Sequence, residues 1–265
     1  MYMMDFNKIV NKMLTKWWKV IFKEDIFEII DPEKKEVYSN KLDKYIYKLK
    51  ASWIIINLKS WVYIIPDEDD KKLNKIDLID KYYLKLLKKY ITSYVLSSYY
   101  ISWRKALEFH MKNSEIPEKI FIVNRSLNKK IILWNLEIIF KTISWKDNLW
   151  QKINLYSKLQ NYTITKIIDD IEFKLSNLEL SLVESALVND TELWVPVELL
   201  SKTIKKYSKV MNKDIFYEIG KYKFIMSFNR LKEIARPIDE NLYKLFLDII
   251  KKNWGLFIWE WVRKM

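Results

Sequence analysis

Residues 37–66 read VYSNKLDKYIYKLKASWIIINLKSWVYIIP. Leu42, Ile46 and Leu49 recur at helical spacing, which gives one apolar face suited to burial. Ser39 precedes that face where an N-cap hydroxyl would satisfy unpaired amides. Lys41, Lys44 and Lys48 fall on a different face, with Asn40 and Tyr45 beside them. Residues 54–58 and 62–65 are apolar, largely β-branched runs parted by the polar pair Lys59-Ser60, the pattern of a hairpin. Between positions 38 and 66 five lysines (41, 44, 48, 50 and 59) stand against one acid, Asp43. A basic helix followed by a basic hairpin predicts a winged helix-turn-helix, a DNA-binding element.

Upstream residues supply the rest of such a domain. Ile9, Val10, Met13 and Leu14 give a first amphipathic helix, and Val20-Ile21-Phe22 a short strand. A second short helix over 24–30 ends at Asp31-Pro32, because proline disfavours helix in the residue before it. Helix, strand, helix, helix, hairpin is the winged-helix order, predicted over residues 1–66. The acidic run Asp67-Glu68-Asp69-Asp70 then marks the expected domain boundary.

Residues 71–265 mix element types. A lysine-rich helix is expected over 73–87 and strands over 119–124, 130–133, 136–143 and 152–156. A further strand pair is expected at 162–168 and 171–175, and helices at 180–188, 196–210 and 240–252. Pro196 suits a first helical turn, where its missing amide does no harm. Without a regular βαβ alternation the expected class is α+β, an N-terminal winged helix followed by a mixed α+β domain.

Half of the 265 residues are apolar, which excludes a disordered tail. The net charge of +13 favours nucleic acid or an acidic partner. It is spread along the chain, since residues 1–66 hold twelve lysines against eight acids, so only its local arrangement is informative. The absence of cysteine excludes disulfides and thiolate metal sites, and no cofactor is expected. No apolar run approaches the length of a membrane span and the N-terminus lacks a secretory pattern, so no membrane association and a cytoplasmic location are expected.

Two glycines accompany twelve tryptophans. Trp53 follows Ala51-Ser52 at a helix end, where a left-handed residue is wanted and glycine is usual. Trp61 closes the hairpin turn, again a glycine position. Trp17-Trp18 lies in a polar loop, Trp145 in Ser-Trp-Lys-Asp, Trp194 before Val-Pro, and Trp254 before Gly255. This placement predicts that the source reads UGA as glycine and that most of these tryptophans are glycines in the native protein. The alternative is a tryptophan-rich protein from a code that reads UGA as tryptophan.

With glycine at the tryptophans, residues 49–66 become LKASGIIINLKSGVYIIP and residues 99–110 become YYISGRKALEFH. Together with Leu180-Ser-Leu-Val-Glu-Ser-Ala-Leu-Val-Asn-Asp190, the chain resembles the AbiEi family of antitoxins and transcriptional regulators. The resemblance spans nearly the whole chain through short, degenerate motifs. Leu182-Val183 stands where the family often has proline. It implies a winged helix that binds inverted repeats in its own promoter and represses the operon. It also implies a C-terminal domain that counters a nucleotidyltransferase-like toxin.

For the DNA-binding element, Asn40, Lys41 and Lys44 are expected to face base edges, with Tyr45 beside them. Lys48, Lys50 and wing residue Lys59 are expected to hold phosphates of double-stranded DNA. Two alternatives compete: a winged helix that contacts another protein, and a metal-dependent nuclease. The nuclease would use Asp169-Asp170-Ile171-Glu172-Phe173-Lys174, whose Glu-x-Lys shares one strand face. It lacks a well-placed upstream aspartate on a strand. Ser102 is expected to cap a helix, and His110, the only histidine, to be structural. Neither a catalytic residue nor a metal ligand is expected.

Overall fold

A computed structural model describes residues 6–15, 19–31, 39–113, 115–146, 152–187, 195–222 and 224–254. The chain forms two compact units, Met1–Ser93 and Tyr94–Met265.

The first unit runs α1 (Phe6–Leu14), β1 (Val20–Phe22), α2 (Lys23–Ile30), α3 (Ser39–Ala51), β2 (Ile56–Lys59), β3 (Val62–Ile64) and α4 (Lys75–Tyr94). Its sheet has the order β1-β3-β2, antiparallel throughout, with Ile64 opposite both Val20 and Ile56. Ile9 and Met13 of α1, Ile26, Ile29 and Ile30 of α2, and Leu42, Ile46 and Leu49 of α3 meet Ile21 and Tyr63 of the sheet in one core. Each helix thus buries the stripe its 3.6-residue period creates. Helix, strand, helix, helix, hairpin is the winged-helix arrangement. The residues between α2 and α3, 32–38, lie outside the described residues.

The boundary falls at Ser93/Tyr94 rather than at the acidic run 67–70. Those acids are not a free linker. Asp70 is fully buried and accepts from Tyr82 Oη at 2.5 Å, Lys81 Nζ at 2.6 Å and the Asp67 amide at 2.8 Å. Burial raises its pKa, but these donors outweigh burial and hold the carboxyl below its ordinary value. Asp67 in turn pairs with Lys19. Asp25 accepts the Phe22 amide at 2.6 Å at the start of α2 and pairs with Lys89 of α4, also at 2.6 Å. The rings of Phe22 and Tyr90 lie 4.9 Å apart. These contacts fasten α4 to the winged helix, although its composition reads as the start of something new.

The second unit contains β4 (Tyr99–Ile101), α5 (Trp103–Met111), β5 (Lys119–Asn124), β6 (Lys129–Leu133), β7 (Leu136–Lys141), β8 (Ser144–Lys146) and β9 (Lys152–Asn154). It continues with α6 (Tyr156–Leu159), β10 (Thr163–Ile168), β11 (Ile171–Ser176), α7 (Leu178–Ser185), α8 (Val197–Tyr207), α9 (Lys213–Gly220), α10 (Ile225–Ala235) and α11 (Glu240–Trp254). Six strands form a mixed sheet in the order β10-β11-β4-β5-β7-β6, and β8 pairs with β9. β11 lies parallel to β4 and β5 parallel to β7, while the other neighbours are antiparallel. One core joins sheet residues Tyr100, Phe121 and Val123 to Leu180 and Val183 of α7 and to the aromatic residues Phe216, Phe228 and Phe246 of the last helices. The class is α+β. No described helix is long and apolar enough to cross a membrane.

Candidate nucleic-acid interface

α3 presents its polar face because its apolar face is taken up by the core of the first unit. Leu42, Ile46 and Leu49 are buried, and Asp43, Lys44, Tyr47, Lys48 and Lys50 are exposed. Asp43, Lys44, Tyr47 and Lys48 line one shallow depression on the outer side of the helix. Asn40 and Lys41 belong to the first turn of α3, one helical turn before Lys44, but their side chains lie outside the described residues, as does that of Ser39. Lys59 is exposed at the end of β2, beside the wing turn.

One expected site residue is placed differently. Tyr45 is half-buried against the apolar core of the first unit, since it follows the exposed Lys44 by about 100° around the helix. It supports the helix from below. Tyr47, three residues after Lys44, is 72% exposed and takes the outward aromatic position. The i, i+3 spacing from Lys44 was the available signal for it. Asp43 lies within the basic face and is held by Lys23 of α2 at 2.7 Å.

The wing is short. β2 and β3 are four and three residues long, and a bulge falls between Asn57 and Lys59. The ring of exposed Trp61 at its tip lies under the Lys23 ammonium, 5.8 Å from ring centroid to Nζ. The Lys23 amide donates to the Trp61 carbonyl at 3.0 Å, which ties the tip back to the start of α2.

In the second unit the polar residues of the sequence motifs converge on Glu184, which is fully buried. Tyr100 Oη donates to its Oε1 at 2.9 Å, and Ser102 Oγ donates to Oε2. Burial pushes the carboxyl up to about 7, although the hydrogen bonds from Ser102, Tyr100, Ser176 and the Trp103 amide act downward. Ser102 stands at the N-cap of α5, but its hydroxyl makes no cap bond. Its hydroxyl donates instead to the buried Glu184. His110 Nε2 donates to the Ser176 carbonyl at 2.9 Å, and burial lowers the imidazole pKa, as expected for a structural histidine.

The strand expected to carry nuclease chemistry forms differently. Asp169 and Asp170 make the tight turn between β10 and β11, with φ of 47° and 62°. Among the described residues no group of three or more His, Cys, Asp or Glu side chains could hold a metal ion. Glu172 and Lys174 share a strand face, and neither belongs to such a group.

No family model and no curated protein matches the chain. Among solved structures it is similar to the crystal structure of the RV2827C protein from Mycobacterium tuberculosis. The TM-score is 0.59 at 11% identity, over 93% of this chain and 80% of that one. At that identity the likeness is one of fold.

Proposed function

We propose that this chain is a sequence-specific DNA-binding transcriptional regulator that reads double-stranded DNA with α3 and steadies it with the wing. The observation that supports this most is the exposed basic face of α3, with Lys44, Lys48 and Tyr47 on one side and the three leucine and isoleucine anchors on the other. Lys41 precedes this row by three residues and Lys59 adds charge at the wing. In winged helices this third helix enters the major groove, where lysines reach phosphates and base edges.

The same reading makes the chain an AbiEi-like antitoxin that represses its own toxin–antitoxin operon, with a nucleotidyltransferase-like toxin as functional counterpart. Its support is the motif resemblance. Within the second unit, the Tyr-Ile-Ser motif at 100–102 and the helix carrying Glu184 are joined by hydrogen bonds. The two stretches are thus parts of one site in space.

A titration of the purified protein against labelled DNA from upstream of its own gene, with scrambled competitor at two salt concentrations, tests the regulator. Selective, salt-sensitive binding is the expected result, and equal affinity for scrambled DNA would defeat it. Asp43 favours a second reading, a winged helix that contacts another protein instead of DNA. An exposed acid amid the lysines would repel phosphate, and Tyr47 offers a large apolar contact. Protein binding unchanged by Lys44→Glu would support that second reading.

A further inference from the structure

Eight non-glycine residues among those described have a left-handed backbone, and four of them are tryptophans: Trp53, Trp61, Trp103 and Trp134, with φ of 55°, 67°, 51° and 56°. Tryptophan makes up 12 of 265 residues, so chance would give it fewer than one of the eight. Side chains with a Cβ are strained there, and a bulky aromatic has no local hydrogen bond to compensate, unlike Asp169 or Asp170. Only Gly220 is described of the two glycines. It is the last residue of α9, where an added Cβ would lie 2.6 Å from Ile249 Cγ2. That glycine serves close packing, and the turns carry tryptophan instead.

Each of the four positions has the geometry of a glycine site. α3 ends in a Schellman motif: the Ile54 amide donates to the Leu49 carbonyl at 3.0 Å and the Trp53 amide to the Lys50 carbonyl at 3.1 Å. Trp53 is its left-handed residue, the place where glycine predominates. Trp61 is the second residue of the two-residue loop between the paired Lys59 and Val62, where a type II turn requires positive φ. Trp134 is the first residue of the two-residue loop between the paired Leu133 and Leu136, and Asn135 after it is not left-handed. A type II′ hairpin turn takes glycine there. These three indoles are 56%, 61% and 55% exposed, so the strain is not repaid by burial. Trp103 is buried, yet its indole Nε1 has no hydrogen-bond acceptor among the described residues, a second cost at the same position.

We infer that the native protein carries glycine at 53, 61, 103 and 134, each encoded by a UGA codon that its source reads as glycine. The inference is independent of DNA binding. The gene gives the first check: all four codons are expected to be UGA, and a UGG at any one overturns the assignment there. Peptide mapping of the full chain purified from its source is decisive. The peptides spanning these positions are expected to be lighter by about 129 Da per position, the mass by which a tryptophan residue exceeds the side-chain-free glycine residue. Tryptophan read at these four positions would overturn the inference.

A second measurement isolates the backbone. In the tryptophan-bearing chain, Trp53→Gly, Trp61→Gly and Trp134→Gly are compared with the alanine variants at the same sites. Both substitutions remove the indole, but only alanine keeps a Cβ. Glycine is expected to raise the folding equilibrium constant roughly fivefold over alanine at each site, after allowance for its freer unfolded chain. Alanine equal to or better than glycine at all three would remove the structural basis of the inference.

Discussion

Glu184 has both carboxylate oxygens occupied and no access to water, so its ionisation is coupled to folding. In the unfolded chain a glutamate titrates near 4.5, whereas here it is raised to about 7. Between those values the folded unit keeps a proton that the unfolded chain has lost. Its contribution is therefore fully present below about pH 4.5 and lost as pH rises through about 7. Denaturant titrations from pH 5 to pH 8 should show stability falling by about 2–3 kcal/mol from this group. Glu184→Gln should flatten that slope; an unchanged slope would show that another group carries it. Gly220 supplies a second residue-scale expectation. Its missing Cβ lets α9 approach the buried Ile249 of α11, and Gly220→Ala should cost about 1–3 kcal/mol by equilibrium denaturation. Glycine at 220 was visible in the sequence, but not that a particular methyl group of Ile249 fills its place.

At the scale of elements, the first unit was largely legible because its periodicities are strong. Leu42, Ile46 and Leu49 mark α3, and the two β-branched runs around Lys59-Ser60 mark the wing. The role of α4 was not legible. Acids in a row read as a solvated linker, and only the fold brings Tyr82 and Lys81 to Asp70 and Lys89 to Asp25. Asp70→Asn should destabilise the first unit by about 1–3 kcal/mol, because the buried donors lose a charged acceptor. Chemical denaturation of the variant measures it, and wild-type stability would place Asp70 among dispensable contacts. In the second unit β4 has only three residues and no pattern of its own. It exists because β11 and β5 offer it hydrogen bonds on both sides. α9 and α10 likewise carry no strong local pattern. α9 is short and rich in β-branched and aromatic residues of modest helix propensity. Packing holds both helices, with the rings of Phe216 and Phe228 lying 5.2 Å and 5.8 Å from that of Phe246.

For the whole molecule, a net charge of +13 predicts nonspecific attraction to any polyanion, so specificity must come from where a few lysines stand. If α3 and the wing neutralise about four to five phosphates, log affinity should fall with log salt at a slope of roughly −4. Lys48→Ala should lower the steepness by about 1 and weaken binding to all sequences alike. A slope unchanged in that variant would move the phosphate contacts elsewhere on the chain. By itself the sequence determined the winged-helix order, the α+β class and the lysine face of α3. Those follow from local periodicity and charge, which a linear pattern carries. Tertiary structure alone decided that α4 completes the first unit and that Tyr100 and Ser102 meet Glu184. Those outcomes depend on which surfaces are buried and on contacts between residues distant in the chain, and on neither does a linear pattern report.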